Sequence, residues 1–215
     1  MCSSDLPGEP ALPPAVPAEA ENASPPTRRP YFLFVGRLVT IKGLHSILDA
    51  VRRYADADLV VVGGGDQDAA LRRQAADIPA VRFLGVQPPE RLAGLYRGAI
   101  ALIMPSICDE VFGLVLIEAM AQGTPVIARD LAGMAEVVRD SGGGLLFEDD
   151  ASLMHAMRQL QHDTALRRRL AEAGRQAVAG RYSEAAHLEA YLALVARVRE
   201  ERQRAEPRRA AGEPR

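Results

Sequence analysis

The chain has 215 residues, of which 48% are apolar and 25% charged, values typical of a globular protein with a sizeable core. The formal net charge of −2 gives no electrostatic reason to expect nucleic acid or an anionic membrane as the main partner. No apolar run approaches the roughly 20 residues that span a bilayer, and only two cysteines, Cys2 and Cys108, are present, which favours a soluble protein of the reducing cytoplasm.

The first thirty residues predict no folded domain. Residues 7–30 are rich in Pro, Ala and Glu without helical or strand periodicity, so we expect an extended linker. Residues 1–6, MCSSDL, are what a GTG start followed by TGC TCT TCC GAT CT would encode, and that string resembles a short-read sequencing adapter. We therefore expect residues 1–6 to be an artefact and the gene to begin mid-linker. A genuine short N-terminus on a single-domain protein is the alternative.

From residue 31 onward, short apolar runs alternate with amphipathic stretches of about ten residues, the pattern of βα units. Apolar residues at nearly every strand position indicate that helices cover both faces of the sheet. The sequence therefore predicts a doubly wound, Rossmann-like parallel sheet over residues 31–182. The predicted strands are 31–35, 58–62, 81–84, 99–104, 125–128 and 144–147. The predicted helices are 43–54, 66–76, 89–97, 113–122, 133–138, 151–161 and 164–179.

Two segments follow this domain. A long amphipathic helix is predicted at 183–206, and the Arg-, Glu- and Pro-rich residues 207–215 are expected to be a disordered tail.

The loop that leaves the first strand, in "VGRLVTIKG", carries the first candidate site. Ligands of open α/β sheets bind at the carboxyl ends of the strands. Arg37 and Lys42 lie there beside Gly36 and a predicted helix N-terminus, which together suit a phosphate group. Lys42 is also the only lysine among 26 basic residues. Two solvated surface charges are the alternative.

Three consecutive glycines follow the second strand in "VVGGGDQDAALRR". The dinucleotide-binding pattern G-x-G-x-x-G fails here, because Asp68 stands at the third glycine position and no acidic residue closes the next strand. We therefore expect a tight turn into a helix that Asp66 caps, and an oxidoreductase is the weakest functional alternative.

The fourth strand leads into "DEVFGLVLIEAMAQGTPVIA", which holds Glu110 in a loop and Glu118 in the second turn of a predicted helix. The two carboxylates are expected on the order of 10 Å apart along the helix axis, with the free amides of residues 112–114 between them. A ligand with hydroxyls at both ends and an anion in the middle, such as a nucleotide sugar, complements this strip. A helix-capping Glu110 and a partly exposed Glu118 are the alternative.

No metal site is predicted, because the four histidines share no metal-binding spacing. Cys108 has no histidine nearby in sequence, so we interpret it as a packing residue rather than a nucleophile.

The motifs "FVGRLVTIKG", "VVGGG", "VRFLG", "PS" at 105–106 and "EVFGLVLIEAMAQGTPVIA" occur in this order between residues 31 and 191. Together they resemble the C-terminal domain of retaining GT-B glycosyltransferases of family 4, including the E-x7-E motif. The resemblance implies the C-terminal half of a GT-B fold that binds a nucleotide sugar as donor substrate, with no cofactor and no metal.

The resemblance also implies roles for individual residues. Arg37 and Lys42 would hold the diphosphate and, with Glu110, carry catalysis, and no covalent nucleophile is apparent. Glu118 would bind the ribose, Glu110 the hydroxyls of the transferred sugar, and the loop near Val86 the base. The implied donor-binding residues are Gly36, Arg37, Lys42, Val86, Glu110, Phe112, Gly113, Leu114 and Glu118.

Such enzymes have a second, N-terminal domain that binds the acceptor, and we expect this chain to be without it. We therefore expect the chain to bind a sugar nucleotide but to transfer little, and expect the missing acceptor domain as its partner. The predicted helix at 183–206 would cross back onto that domain, which leaves Leu188, Tyr191, Leu192 and Val195 partly uncovered. A stand-alone nucleotide-sugar-binding module and a sugar-nucleotide epimerase of similar fold are the alternatives. The base, the sugar and the acceptor are not predicted.

Overall fold

A computed structural model describes residues 26–110 and 112–205 of the chain. Its six strands are β1 Tyr31–Val35, β2 Asp58–Val62, β3 Val81–Gly85, β4 Leu102–Met104, β5 Val126–Arg129 and β6 Gly144–Phe147. Its eight α-helices are α1 Leu48–Arg53, α2 Asp68–Gln74, α3 Pro89–Gly98, α4 Leu114–Ala121, α5 Ala132–Ser141, α6 Asp150–His162, α7 Thr164–Gly180 and α8 Glu184–Ala205.

All pairs of neighbouring strands are parallel, and the sheet order is β3-β2-β1-β4-β5-β6. The chain runs outward from β1 to β3, returns to place β4 beside β1, and then runs outward to β6. This order confirms the predicted doubly wound, Rossmann-like sheet. It also creates a switch point between β1 and β4, where the loops leaving the two strands diverge.

Apolar side chains fill both faces of the sheet, as the unbroken apolar strands predict. Phe32 and Leu33, neighbours in β1, are both fully buried but belong to opposite faces. Phe32 packs in the layer that includes Leu48 of α1 and Leu153 of α6, and Leu33 in the layer that includes Leu116 of α4. Alternation along each strand therefore supplies both layers.

The helix predicted at 43–54 is wrong in its first half. Two short 3₁₀ helices, Thr40–Lys42 and Leu44–Ile47, precede the six-residue α1. Gly43 separates them with a φ of 70°, and a Cβ built there would lie 2.0 Å from the carbonyl oxygen of Pro105. The close approach of the loop after β4 therefore forces a backbone turn that an α-helix does not allow.

Other element boundaries also differ from the predictions. The fourth strand begins at Leu102 rather than at residue 99, although Ile100 donates a backbone hydrogen bond to Tyr31 at 2.8 Å. Helix α2 begins at Asp68 with no side-chain cap, so the predicted cap by Asp66 is wrong. The glycine turn ahead of α2 is present, and its backbone approaches the loop after β1 closely.

The predicted linker is in contact with the domain over its last residues. Thr27 is buried and donates a hydrogen bond to Asp58 at 2.5 Å, and Arg29 pairs with the same carboxylate at 3.1 Å. Arg82 donates to it at 2.8 Å. Residues 26–30 therefore pack on the start of β2. The artefact proposed at 1–6, the linker at 7–25 and the tail at 207–215 lie outside the described residues.

Helix α8 exposes apolar side chains, as predicted. Leu188, Tyr191 and Leu192 are 50%, 57% and 64% exposed, and Val195 is half-buried. In residues 26–110 and 112–205, no helix combines the length and the hydropathy needed to cross a bilayer.

Candidate functional site

The predicted site residues gather at the carboxyl edge of the sheet, around the switch point between β1 and β4. The loops after these two strands are joined by a backbone hydrogen bond of 2.9 Å from Ile107 to Ile41. Because the central strands are adjacent and parallel, residues that are far apart in sequence meet here.

An ion pair between Lys42 and Glu110 links the two loops. The side chains are 22% and 16% exposed, so the pair is only partly hydrated. Ser106 donates a second hydrogen bond to the same carboxylate oxygen, Oε1, at 2.9 Å. The other oxygen of Glu110, Oε2, accepts no hydrogen bond from the described residues. Lys42 ends a 3₁₀ helix and does not begin an α-helix as the sequence predicted. It therefore contributes its own positive charge to the site but not the backbone donors of a helix N-terminus.

The carboxylate of Glu118 is held by Tyr96. The buried hydroxyl of Tyr96 donates to Oε2 at 2.9 Å, while Oε1 has no partner among the described residues. Burial of the Tyr96 hydroxyl raises its pKa well above the ordinary value, and the negative charge of Glu118 raises that pKa further. The hydroxyl therefore stays protonated and remains a donor over the whole physiological pH range.

Two adjoining cavities form a groove along this edge. One of about 260 Å³ is lined by residues that include Gly36, Arg37 and Val86, and one of about 370 Å³ by residues that include Tyr96 and Glu118. Gln87 and Leu92 line both cavities, so the two are neighbours. We name the two together the switch-point groove.

Two residues that line the smaller cavity of this groove, Arg37 and Val86, have exposed side chains. Arg37 is exposed, and its guanidinium makes no hydrogen bond or ion pair within residues 26–110 and 112–205. Val86 is 79% exposed. A free cation and an apolar contact surface therefore face the same space.

The start of α4 adds backbone donors. Gly113 is its N-cap with a φ of 71°, and Leu114, its first residue, is 68% exposed. The ring of Phe112 packs edge-on against Tyr182, with centroids 5.5 Å apart. The predicted amides of residues 112–114 thus lie at a helix N-terminus, where N–H groups lack intrahelical partners.

Three residues of this site are not among those predicted from sequence: Tyr96, Ser106 and Gln87. Tyr96 has the spacing of a core residue of α3, and nothing in the sequence indicates that its hydroxyl reaches a carboxylate 22 positions away. Ser106 belongs to the quoted "PS" motif, which was the available signal. Within the described residues, no group of three or more His, Cys, Asp or Glu could hold a metal ion.

Replacing Tyr96 by phenylalanine is expected to weaken nucleoside-diphosphate binding about tenfold, because loss of the hydroxyl frees the Glu118 carboxylate to move and removes a charge-assisted hydrogen bond. The ring is retained, so we expect little change in the melting temperature. Isothermal titration calorimetry gives the dissociation constant, and circular dichroism gives the melting temperature.

Tyr54→Phe is the matched control. It removes a hydrogen bond of 2.8 Å to Gln161 from another buried tyrosine on the opposite side of the sheet. Equal losses of nucleotide binding in the two variants would contradict a specific role for Tyr96.

A doubly wound sheet with a switch-point groove that is lined by a free cation and an oriented carboxylate belongs to the class of open α/β domains that bind ligands at the carboxyl ends of their strands. More specifically, the chain belongs to the family Glycosyl transferases group 1, whose model matches residues 17–177.

Curated relatives are similar over most of this chain. The lipopolysaccharide core biosynthesis glycosyltransferase LpsE of Rhizobium meliloti (strain 1021) is 34% identical over 176 residues, which are 80% of this chain and 51% of that protein. The phosphatidyl-myo-inositol mannosyltransferase of Mycobacterium leprae (strain TN) is 40% identical over 154 residues, which are 68% of this chain and 41% of that protein. The chain thus spans about half the length, or less, of these relatives.

Solved structures share the fold. Sucrose-phosphate synthase from Thermosynechococcus elongatus matches with a TM-score of 0.65 and 33% identity, over 77% of this chain and 44% of that one. Anabaena HepE in complex with UDP-glucose matches with a TM-score of 0.63 and 25% identity, over 69% of this chain and 43% of HepE. The C-terminal domain of LpcC, a glycosyl transferase group 1 family protein from Francisella tularensis, matches with a TM-score of 0.62 and 23% identity. The match covers 73% of this chain and 89% of that domain. The fold is that of a GT-B glycosyltransferase C-terminal domain.

Proposed function

We propose that this chain is the donor-binding domain of a retaining GT-B glycosyltransferase of family 4, and that the switch-point groove binds a nucleoside-diphosphate sugar. The observation that carries the proposal is that the two neighbouring cavities of this groove present the free guanidinium of Arg37 and the oriented carboxylate of Glu118. Binding of UDP-glucose by the structurally similar HepE supports the same ligand class.

The diphosphate would lie between the loop after β1 and the start of α4. Arg37 donates from an unpaired guanidinium, Lys42 retains N–H donors beyond the one given to Glu110, and the amides of residues 112–114 complete the anion site. These charges stabilise the negative charge that develops on the leaving diphosphate, so the reaction requires no metal. The acceptor oxygen attacks the anomeric carbon from the face that the diphosphate leaves and passes its proton to the departing diphosphate oxygen, and no covalent enzyme intermediate forms.

The two carboxylates would bind hydroxyl groups. Glu118 presents the free Oε1 to the ribose, and Glu110 presents the free Oε2 to a hydroxyl of the transferred hexose. The base would pack near Val86, which lines the smaller cavity together with Arg37. In this arrangement protein donors hold one oxygen of each glutamate, and the second oxygen of each binds the ligand.

Transfer itself would need a second domain. The matches cover only 51% and 41% of the two curated relatives, and one of these relatives, by its name, acts in lipopolysaccharide core biosynthesis. We infer a saccharide, lipid or small-molecule acceptor that is bound by an N-terminal domain, with this chain transferring little on its own. The exposed apolar side chains of α8 fit a helix that crosses onto that domain.

A thermal-shift series tests the proposal. UDP, GDP and ADP are compared with NAD at equal concentrations, and one nucleoside diphosphate is expected to raise the melting temperature because it binds only the folded chain. Glu118→Gln should remove most of that shift, since a neutral amide accepts hydroxyl hydrogen bonds less strongly.

Glu189→Gln, at an exposed glutamate of α8, is the control for Glu118→Gln and should leave the shift unchanged. Stabilisation by NAD alone would overturn the transferase proposal. So would an equal loss of the shift in the two variants.

A further inference from the structure

A third cavity lies at the opposite edge of the sheet from the switch-point groove. It measures about 490 Å³, larger than either part of the groove, and falls within the range of small-molecule sites. Its floor includes Ala99 and Pro125, which precede β4 and β5 and so mark the amino ends of these strands. The proposed donor site, at the carboxyl ends, does not use it.

Arginines dominate the walls of this cavity. Arg97 comes from the end of α3, and Arg167, Arg168 and Arg175 come from α7, with Glu172 as the single acid that lines it. Four positive charges and one negative charge leave a formal excess of three, on a chain whose net charge is −2. Such a local excess attracts anions.

Most of the guanidinium donors make no hydrogen bond within the part of the chain that the structure describes. Arg97 gives one hydrogen bond to Gln122 at 2.7 Å, and Arg175 gives one to Glu172 at 2.6 Å. Arg168 makes no hydrogen bond or ion pair within residues 26–110 and 112–205. Since each guanidinium carries five N–H donors, the cavity presents many free donors in planar pairs.

Arg167 differs from the other three arginines because its guanidinium donates to the protein backbone. It donates to the backbone carbonyl of Leu160 at 2.8 Å, at the end of α6, and so helps to fix α7 against α6. Helix α7 also packs closely on α4, since a Cβ built at Gly174 would lie 2.9 Å from Cγ of Met120. The arginines on α7 therefore project from a packed helix and not from a loop.

We propose that this arginine-lined cavity binds a phosphorylated anion with two or more negative charges. Arginine pairs with phosphate oxygens through two parallel hydrogen bonds, and guanidinium groups on two walls suit adjacent phosphoryl groups better than a single carboxylate. The site is separate from the donor groove and does not depend on the proposed function. A soluble oligophosphate and a lipid phosphate headgroup present the same chemistry.

The test uses the full chain with tripolyphosphate as probe and with Arg37→Gln in every protein compared, including the otherwise unchanged chain, so that the donor groove lacks its free cation. The variant Arg168→Gln with Arg175→Gln is expected to bind tripolyphosphate at least about tenfold more weakly than the unchanged chain, since charge-assisted hydrogen bonds are lost. Arg169→Gln is the matched control, because Arg169 is an exposed neighbour on α7 that does not line the cavity. It should bind as the unchanged chain does.

A second arm distinguishes the two sources of phosphate. Flotation with phosphatidic acid vesicles, against phosphatidylcholine vesicles, measures lipid binding in the same three proteins. Sensitivity to the double substitution in the tripolyphosphate arm identifies a soluble ligand, and sensitivity in the vesicle arm identifies a headgroup. The proposal is overturned if neither arm responds to the double substitution, or if Arg169→Gln has the same effect.

Discussion

Replacing Lys42 by alanine is expected to weaken nucleoside-diphosphate binding about a hundredfold, which corresponds to roughly 3 kcal/mol. The substitution removes the charge that we place on the diphosphate. It also leaves the partly buried carboxylate of Glu110 without its ion-pair partner, so that a negative charge faces the incoming anion. Titration calorimetry with the nucleotide that gives the largest thermal shift measures the effect.

Glu110→Gln separates the two contributions, because it should act in the opposite direction. With the carboxylate neutral, Lys42 is free to donate fully to the phosphate, so the nucleoside diphosphate itself should bind as well as before or more tightly. The nucleotide sugar should instead lose affinity relative to the nucleotide, since Glu110 is proposed to bind the transferred sugar. Lys42→Arg, which keeps the charge, should retain most of the binding. Equal weakening by Lys42→Ala and Glu110→Gln would contradict this account.

Replacing Gly63 by alanine is expected to lower the free energy of unfolding by about 3 kcal/mol or more. Gly63 has a φ of 135°, which side chains rarely adopt, and an added Cβ would lie 1.8 Å from the carbonyl oxygen of Gly36. Both backbones are fixed by the sheet edge: Gly36 donates to Val62 at 3.1 Å and Gly63 to Gly85 at 2.9 Å. Neither strand end can move without breaking such a bond.

A melting temperature lower by about 10 °C is the expected readout for Gly63→Ala in a domain of this size. Gly64→Ala is the control, because a Cβ there meets only Val86 Cγ2, at 3.4 Å, and the backbone has no positive φ. Its melting temperature should change little. Since Gly36 and Gly63 both line the switch-point groove, Gly63→Ala should also reduce nucleotide binding. A Gly63→Ala chain as stable as the Gly64→Ala chain would contradict the close approach seen here.

The chain order of the elements could be predicted because it depends on local pattern. Unbroken apolar runs such as 59–62 favour strands that are covered on both faces, and the structure buries all four of these residues. The helix at 43–54 could not be predicted correctly. Its first half is replaced by 3₁₀ turns because Gly43 must pass the carbonyl of Pro105, a contact with a residue more than sixty positions away.

Candidate residues such as Arg37, Lys42, Glu110 and Glu118 could be proposed from the sequence because charged groups beside strand ends stand out in an apolar segment. The protein groups that pair with these residues could not be predicted from the sequence. Tyr96 has the pattern of a core residue, and only the packing of α3 against α4 shows that its hydroxyl reaches Glu118. The Lys42 and Glu110 pair likewise requires that β1 and β4 be neighbours, which depends on strand order.

The sequence by itself determined the alternation of strands and helices, the apolar character of both sheet faces and the identity of the charged groups at the strand ends. These follow from side-chain chemistry and from the periods of helix and strand, which are local properties. Only the tertiary structure decided which strands are adjacent, which oxygen of each glutamate is engaged, and that four arginines of α3 and α7 share one cavity. Such pairings depend on packing between distant segments, because burial and close packing fix one arrangement among many that the local pattern allows.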